Sequence, residues 1–176
     1  MEQHLGPLAD VPELGSRGAW EIADDNGWFR MSNTTEPGAI TYYWYGAQRD
    51  VQGPFRVGVN VVIRGVDEGP SDAGLLFNYR SGEQYLAYTI GNDNSVNVFI
   101  RTPQGLDVQT LPDVEAKGDG SDFLSILVEG SDASLELNGT LLFKVQGNQP
   151  MSPNIGILVS GATHAGFTNL RLTPAN

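Results

Sequence analysis

The chain contains no cysteine and only two histidines among its 176 residues. The absence of cysteine excludes disulfides, cysteine-ligated zinc and thiol catalysis. The histidines give little support to a histidine metal site or a Ser–His–Asp triad. His4 lies near the N-terminus, and His164 is predicted in a loop before the last strand, without a nucleophile-elbow motif. The sequence therefore favours binding over nucleophilic catalysis.

Basic residues are also few, with 10 Lys and Arg against 21 Asp and Glu and a net charge of −11. Nucleic-acid and anionic membrane surfaces attract cationic proteins, so neither is an expected partner. No apolar run approaches the ~18 residues that span a bilayer, so membrane insertion is not expected. The first residues show no apolar signal segment; an extracytoplasmic location is favoured if a signal peptide was removed ahead of them.

Long helical periodicity is missing, and apolar residues alternate with polar ones over residues 55–63, 75–79 and 96–100. Such alternation indicates half-buried strands. Turn residues separate these runs, and Asn138-Gly139 is the clearest hairpin signal. The sequence predicts an all-β, two-sheet antiparallel β-sandwich of about twelve strands, with at most a one-turn helix near 111–116. Residues 17–176 form the predicted single domain, preceded by a loosely held segment, 1–16.

Seven strand and turn motifs follow one another in a recognisable order: residues 20–28, 55–61, 72–80, 85–88, 123–130, 137–139 and 165–172. This order resembles the concanavalin A-like (laminin-G/glucanase) jelly-roll superfamily. The resemblance implies a jelly roll whose concave sheet face carries ligands or catalytic groups. Lectins, carbohydrate-binding modules, glycoside hydrolases and adhesion domains share this fold, so the fold alone does not choose among them.

The favoured binding surface is one face of two predicted hairpins. If Arg80 lies opposite Tyr85 across the turn at 81–84, alternation places Tyr79 with the core and a mixed polar and aromatic row on the other face. The predicted ligand contacts are Asn78, Arg80, Tyr85, Asn97, Phe99 and Arg101. Amides and guanidinium groups bond sugar hydroxyls, and aromatic rings stack on sugar C–H faces. The leading hypothesis is a non-catalytic module for glycan recognition; an ordinary solvated sheet face is the alternative.

The densest aromatic run covers residues 40–45. Alternation places Tyr42 and Trp44 on one face, and Tyr43 and Tyr45 on the other. One of these faces must pack on the core. The other is either covered by loops or offers a platform for a ligand or partner.

No cofactor is expected, although the sequence leaves calcium open because several loops are rich in oxygen ligands. The leading pairs are Asp67 with Asp72 and Asp119 with Asp122. Asp and Asn also make turns by bonding their own backbone, which is the simpler interpretation of these loops.

Two further functions remain as alternatives. A protein-interaction or adhesion domain would use the acidic stretch 102–143, which holds eight acidic residues and one basic residue. An atypical glycan-active enzyme would need paired carboxylates, for which Glu129 and Glu136 are the candidates on one hairpin face. The Glu-x-Asp-x-Glu run of laminarinase-like enzymes is absent. The sequence does not fix ligand identity or oligomeric state.

Overall fold

The computed structural model describes residues 3–4, 14–33, 36, 38–45, 53–65, 69–117 and 120–175. These residues form fifteen strands and no helix. The strands are β1 (Gln3–His4), β2 (Gly15–Arg17), β3 (Trp20–Asp25), β4 (Trp28–Asn33), β5 (Ile40–Tyr45), β6 (Phe55–Gly65), β7 (Asp72–Ser81), β8 (Gln84–Gly91), β9 (Val96–Thr102), β10 (Gly105–Thr110), β11 (Asp122–Glu129), β12 (Asp132–Leu137), β13 (Thr140–Gln146), β14 (Ile155–Ser160) and β15 (Thr163–Pro174).

Two antiparallel sheets confirm the predicted sandwich. The nine-stranded sheet has the order β13-β12-β11-β6-β15-β4-β3-β2, with β1 paired to β15. The six-stranded sheet has the order β10-β9-β8-β7-β14-β5. The Asn138-Gly139 hairpin is confirmed: both residues have positive φ, 51° and 82°, between the paired Leu137 and Thr140.

One hydrophobic core fills the space between the sheets, and strict alternation builds it. Val57, Val59 and Val61 on β6 point inward from the nine-stranded sheet. Leu75 and Phe77 on β7 enter the same cluster from the six-stranded sheet. Burying each such side chain contributes roughly 1.5–3 kcal/mol to folding, so the core is ample without disulfides.

Tyr88 on β8 is an exception within this core because it brings a hydroxyl with it. Its side chain is fully buried. Its Oη has no hydrogen-bond partner in the described part of the chain, and burial raises the pKa of its phenol. The core therefore contains one polar group whose hydration is not replaced.

Three sequence predictions concern turns and termini. The sequence allowed at most a one-turn helix near 111–116, and the structure has none there: Pro112 and Asp113 form a turn, with Asp113 at a φ of 58°. The loop expected around His164 is wrong, because this residue lies in β15. Most of segment 1–16 lies outside the described residues. Within the described ranges no helix is long and apolar enough to cross a membrane.

Candidate functional site

A second hydrophobic cluster lies on the outward face of the six-stranded sheet. Its buried members are Leu76, Tyr85, Ala87, Phe99 and Leu158. They point away from the core because they alternate with core residues along β7, β8, β9 and β14. Tyr42, Tyr79 and Leu106 are half-buried and pack against the cluster. This outward face is therefore more apolar than a solvated sheet face.

A β-bulge in β7 brings Tyr79 to this face. The register shifts between Phe77 and Ser81, and Asn78 has a φ of 49°, a conformation that asparagine tolerates better than most residues. The expectation that Tyr79 joins the core is wrong, because the bulge breaks the alternation on which it rested.

Tyr42, Tyr79 and Tyr85 together form what we call the tyrosine cluster. The ring centroids of Tyr42 lie 5.6 Å from Tyr79 and 5.4 Å from Tyr85, and those of Tyr79 and Tyr85 are 6.5 Å apart. These separations are typical of favourable aromatic pairs. The predicted division of β5 is confirmed for Tyr42, which faces outward, and Tyr43, which packs on the core. The side chains of Trp44 and Tyr45 lie outside the described residues.

Arg101 supplies positive charge beside the tyrosine cluster. It lies on β9 directly across from Tyr85 and is partly exposed. Burial and the hydrogen bond with Tyr79 raise the pKa of Tyr42 to about 12, although Arg101 acts in the opposite direction. Burial likewise raises the pKa of Tyr85, again against Arg101. The hydroxyls of Tyr42 and Tyr85 therefore stay protonated at neutral pH and remain hydrogen-bond donors.

Asn78 and Arg80, two of the predicted contacts, bond to the chain segment that leads into β14. The Asn78 Oδ1 accepts a hydrogen bond of 2.8 Å from the Ser152 backbone N–H. An Arg80 guanidinium N–H donates to the Pro150 carbonyl at 2.6 Å. The Ser152 hydroxyl donates to the Tyr79 carbonyl at 2.8 Å. These bonds hold the bulge and so help to position the Tyr79 ring.

Asn97 and Phe99, two further predicted contacts, are buried on the same face. Phe99 is 3% exposed and belongs to the second cluster. Asn97 donates to Asp72 at 2.7 Å and accepts from Thr110 at 2.7 Å. The structure thus brings Tyr85, Phe99 and Arg101 together and places Asn97 in a separate polar network.

Asp72 is the centre of that polar network. Thr89 donates to its carboxylate at 3.1 Å and Ser160 at 3.4 Å, in addition to Asn97. Burial raises the pKa of Asp72 despite these three donors, which act to lower it. At this end of the outward face, the polar side chains are hydrogen-bonded to one another.

The carboxylates predicted for calcium are only partly described. Asp67 and Asp119 lie outside the described residues. Asp122 is buried, where it accepts from the Lys117 backbone N–H at 3.0 Å and from Asn138 Nδ2 at 2.7 Å. The described residues contain no group of three or more acidic or histidine side chains placed to hold a metal ion. Asp72 and Asp122 act as hydrogen-bond acceptors inside the protein.

The backbones of Glu129 and Glu136 lie far apart along their hairpin. Glu129 is paired with Asp132, and Glu136 lies four residues further along β12, so their Cα atoms are about 13 Å apart. Glu136 forms an ion pair with Arg56 and accepts a hydrogen bond from Ser125. The described contacts of the Glu136 carboxylate are therefore with a guanidinium and a hydroxyl.

Solved structures of other proteins are similar to this chain in fold. No family model and no curated protein sequence matches the chain. Among solved structures, the carbohydrate-binding module CBM66 from Bacillus subtilis is similar over 89% of this chain and 92% of its own, with 14% identity and a TM-score of 0.60. The fold is a concanavalin A-like jelly roll.

Two further structures show that this jelly roll accommodates different activities. The Emp47p carbohydrate recognition domain is 12% identical, with 91% of this chain and 90% of its own covered and a TM-score of 0.57. An endo-β-1,3-glucanase from Pyrococcus furiosus is 10% identical, with 87% and 77% covered and a TM-score of 0.56. At such identities the similarity establishes the fold and leaves the function to the site.

Proposed function

We propose that this protein is a non-catalytic carbohydrate-binding module whose ligand lies over the tyrosine cluster. The observation that carries the proposal is the placement of half-buried Tyr42 and Tyr79 beside Arg101 on a face turned away from the core. Tyrosine π-faces attract the polarised C–H groups of a sugar, and phenol and guanidinium groups bond its hydroxyls. The similar carbohydrate-binding module and carbohydrate recognition domain support the same ligand class.

Five of the six predicted contacts take different roles in this proposal, and the sixth, Asn97, belongs to the polar network around Asp72. Arg101 is the polar contact, and Tyr85 and Phe99 support the rings from beneath. Asn78 and Arg80 position the bulge that carries Tyr79. The ligand contacts themselves are therefore Tyr42, Tyr79 and Arg101.

A site made of a few partly buried rings and one cation favours weak affinity for a single sugar chain. Stable binding of a glycan then needs several linked sites, because binding at one site raises the effective concentration of the glycan at the next. We therefore expect the protein to bind polymeric or clustered glycans, as an oligomer or beside neighbouring domains.

The test begins with a glycan array, followed by calorimetric titration with the neutral oligosaccharide that gives the strongest signal. We expect Arg101→Ala and Tyr79→Ala to weaken binding about tenfold or more, and Tyr79→Phe to restore much of the loss by keeping the ring. Lys144→Ala is the matched control, because it removes an exposed cation from β13 in the other sheet.

Retained affinity in both Arg101→Ala and Tyr79→Ala would overturn the proposal, provided that circular dichroism shows each variant to be folded. Repeating the titration with a chelator asks whether calcium takes part. We expect the affinity to be unchanged, since none of the three contacts is a calcium ligand.

A further inference from the structure

The outward face of the nine-stranded sheet contains a groove of about 420 Å³. Strand register brings its lining together from three distant parts of the chain. His164 on β15 is paired with Ser32 on β4 and with Arg64 on β6. Two register positions along, on the same face, Gly166 is paired with Arg30 and Val62. We call this surface the tryptophan groove because Trp28 also lines it.

Gly166 allows the indole of Trp28 to lie against the sheet. A Cβ at position 166 would approach Trp28 Cε3 to 3.2 Å and Val62 Cγ1 to 2.9 Å. With no side chain there, the ring is half-buried on the outward face and lines the groove instead of the core. The groove therefore has an aromatic and aliphatic floor.

The lining of the tryptophan groove is cationic although the whole protein carries a charge of −11. Arg30 pairs with Asp25 at 3.2 Å, and the Nδ1 of His164 lies 2.8 Å from the Ser32 hydroxyl. The Arg64 side chain is exposed and has no ion pair or hydrogen bond within the described part of the chain. One guanidinium at the groove is thus available to an anion.

We propose that the tryptophan groove binds an anionic saccharide, a sugar that bears a carboxylate or sulfate group. The Arg64 guanidinium pairs with the anionic group, which a planar fork of donors matches in two parallel hydrogen bonds. Trp28 contacts the C–H face of the sugar ring, and Ser32 and His164 bond its hydroxyls. This second site lies on the opposite side of the sandwich from the tyrosine cluster and is independent of it.

Calorimetric titration of the full chain with three probes tests the inference. Trigalacturonate supplies carboxylates, a heparin tetrasaccharide supplies sulfates, and galactotriose is the neutral counterpart of the first probe. We expect saturable binding of at least one anionic probe, weakening as salt is raised, and about tenfold or more weaker binding of galactotriose. The indole N–H signal of Trp28 in nuclear magnetic resonance spectra, assigned with Trp28→Leu, should shift on binding.

Two variants of matched charge complete the test. Arg64→Ala should lower affinity about tenfold or more, whereas Lys144→Ala, on the same sheet but at its edge strand, should leave affinity within about twofold. Equal losses in the two variants would overturn the inference in favour of unspecific charge attraction. Absence of saturable binding to both anionic probes, or an unmoved Trp28 signal, would also overturn it. Tyr79→Ala should retain this binding, so the two sites fail separately.

Discussion

The outward faces of the two sheets differ in chemistry, although both sheets bury their other side in one core. The six-stranded sheet carries a second apolar cluster and a bonded polar network around Asp72. The nine-stranded sheet carries exposed charges, ion pairs and the tryptophan groove. The outward face of the six-stranded sheet is therefore packed almost like an interior, whereas side chains on the outward face of the nine-stranded sheet can shift.

The sharpest test of this contrast is the same substitution at one glycine in each sheet. A Cβ at Gly74 in β7 would lie 2.1 Å from the Tyr88 carbonyl oxygen, and backbone cannot move aside cheaply. At Gly166 the contacts are side-chain atoms of Val62 and Trp28, which can shift at less cost than backbone. We expect Gly74→Ala to lower the free energy of unfolding by about 3 kcal/mol and Gly166→Ala by about 1 kcal/mol, measured by urea denaturation.

Equal losses of unfolding free energy at the two glycines would contradict this contrast between the outward faces of the two sheets. If Gly74→Ala is too unstable for urea titration after purification, its thermal midpoint in crude extract can be compared with that of Gly166→Ala. A lower midpoint for Gly74→Ala supports the same conclusion.

A smaller effect on stability is expected in the polar network around Asp72, on the outward face of the six-stranded sheet. Asp72→Ala removes the acceptor shared by Thr89, Asn97 and Ser160, so we expect a loss of about 2 kcal/mol at neutral pH in urea denaturation. Asp72→Asn keeps an acceptor and should cost less.

The pH dependence of stability tests whether burial raises the pKa of the Asp72 carboxyl. Because the pKa of Asp72 is raised in the folded state, the folded protein binds a proton more tightly than the unfolded chain. This group therefore stabilises the fold at low pH, and that contribution is lost as pH rises from about 4 through the raised pKa. Relative to Asp72→Asn, the wild type should lose stability over this interval. A constant difference would contradict the raised pKa, and a growing advantage of the wild type would mean that the three donors outweigh burial.

The smallest effect concerns the core that the two sheets share. Tyr88→Phe removes a buried hydroxyl that has no partner among the described residues, so we expect a gain of about 1 kcal/mol in unfolding free energy. Tyr85→Phe, on the outward face, should change stability by less than about 0.5 kcal/mol. A loss of stability in Tyr88→Phe would mean that an ordered water bonds the hydroxyl.

Much of the fold could be predicted because alternation and turn chemistry are local signals. The rows of Val57, Val59 and Val61 and of Leu75 and Phe77 point inward as their spacing requires. The turn at Asn138-Gly139 has the predicted positive φ values. At 111–116 the sequence left a short helix open, because a Pro-Asp turn and the start of a short helix have similar compositions.

The candidate site could be predicted only in part, because its remaining determinants are not local. Alternation places Tyr79 on the wrong face because it does not reveal a bulge. The available signal is the asparagine before it, which tolerates positive φ. The tryptophan groove needs Trp28, Arg64 and His164 to meet across three strands. Sequence periodicity gives strand faces but not strand order, so this surface could not be seen.

The chain between β13 and β14 crosses from one sheet to the other, and its hydrogen bonds to Asn78, Tyr79 and Arg80 have a practical consequence. Attachment points for labels or fused domains are unequal on this protein. An insertion near Ser152 would pull on the backbone that carries the Tyr79 ring, whereas one at Asn138-Gly139 would extend a hairpin of the other sheet. A reporter placed at the hairpin tip should therefore leave the tyrosine cluster undisturbed, and one placed near Ser152 should serve as a sensor of it.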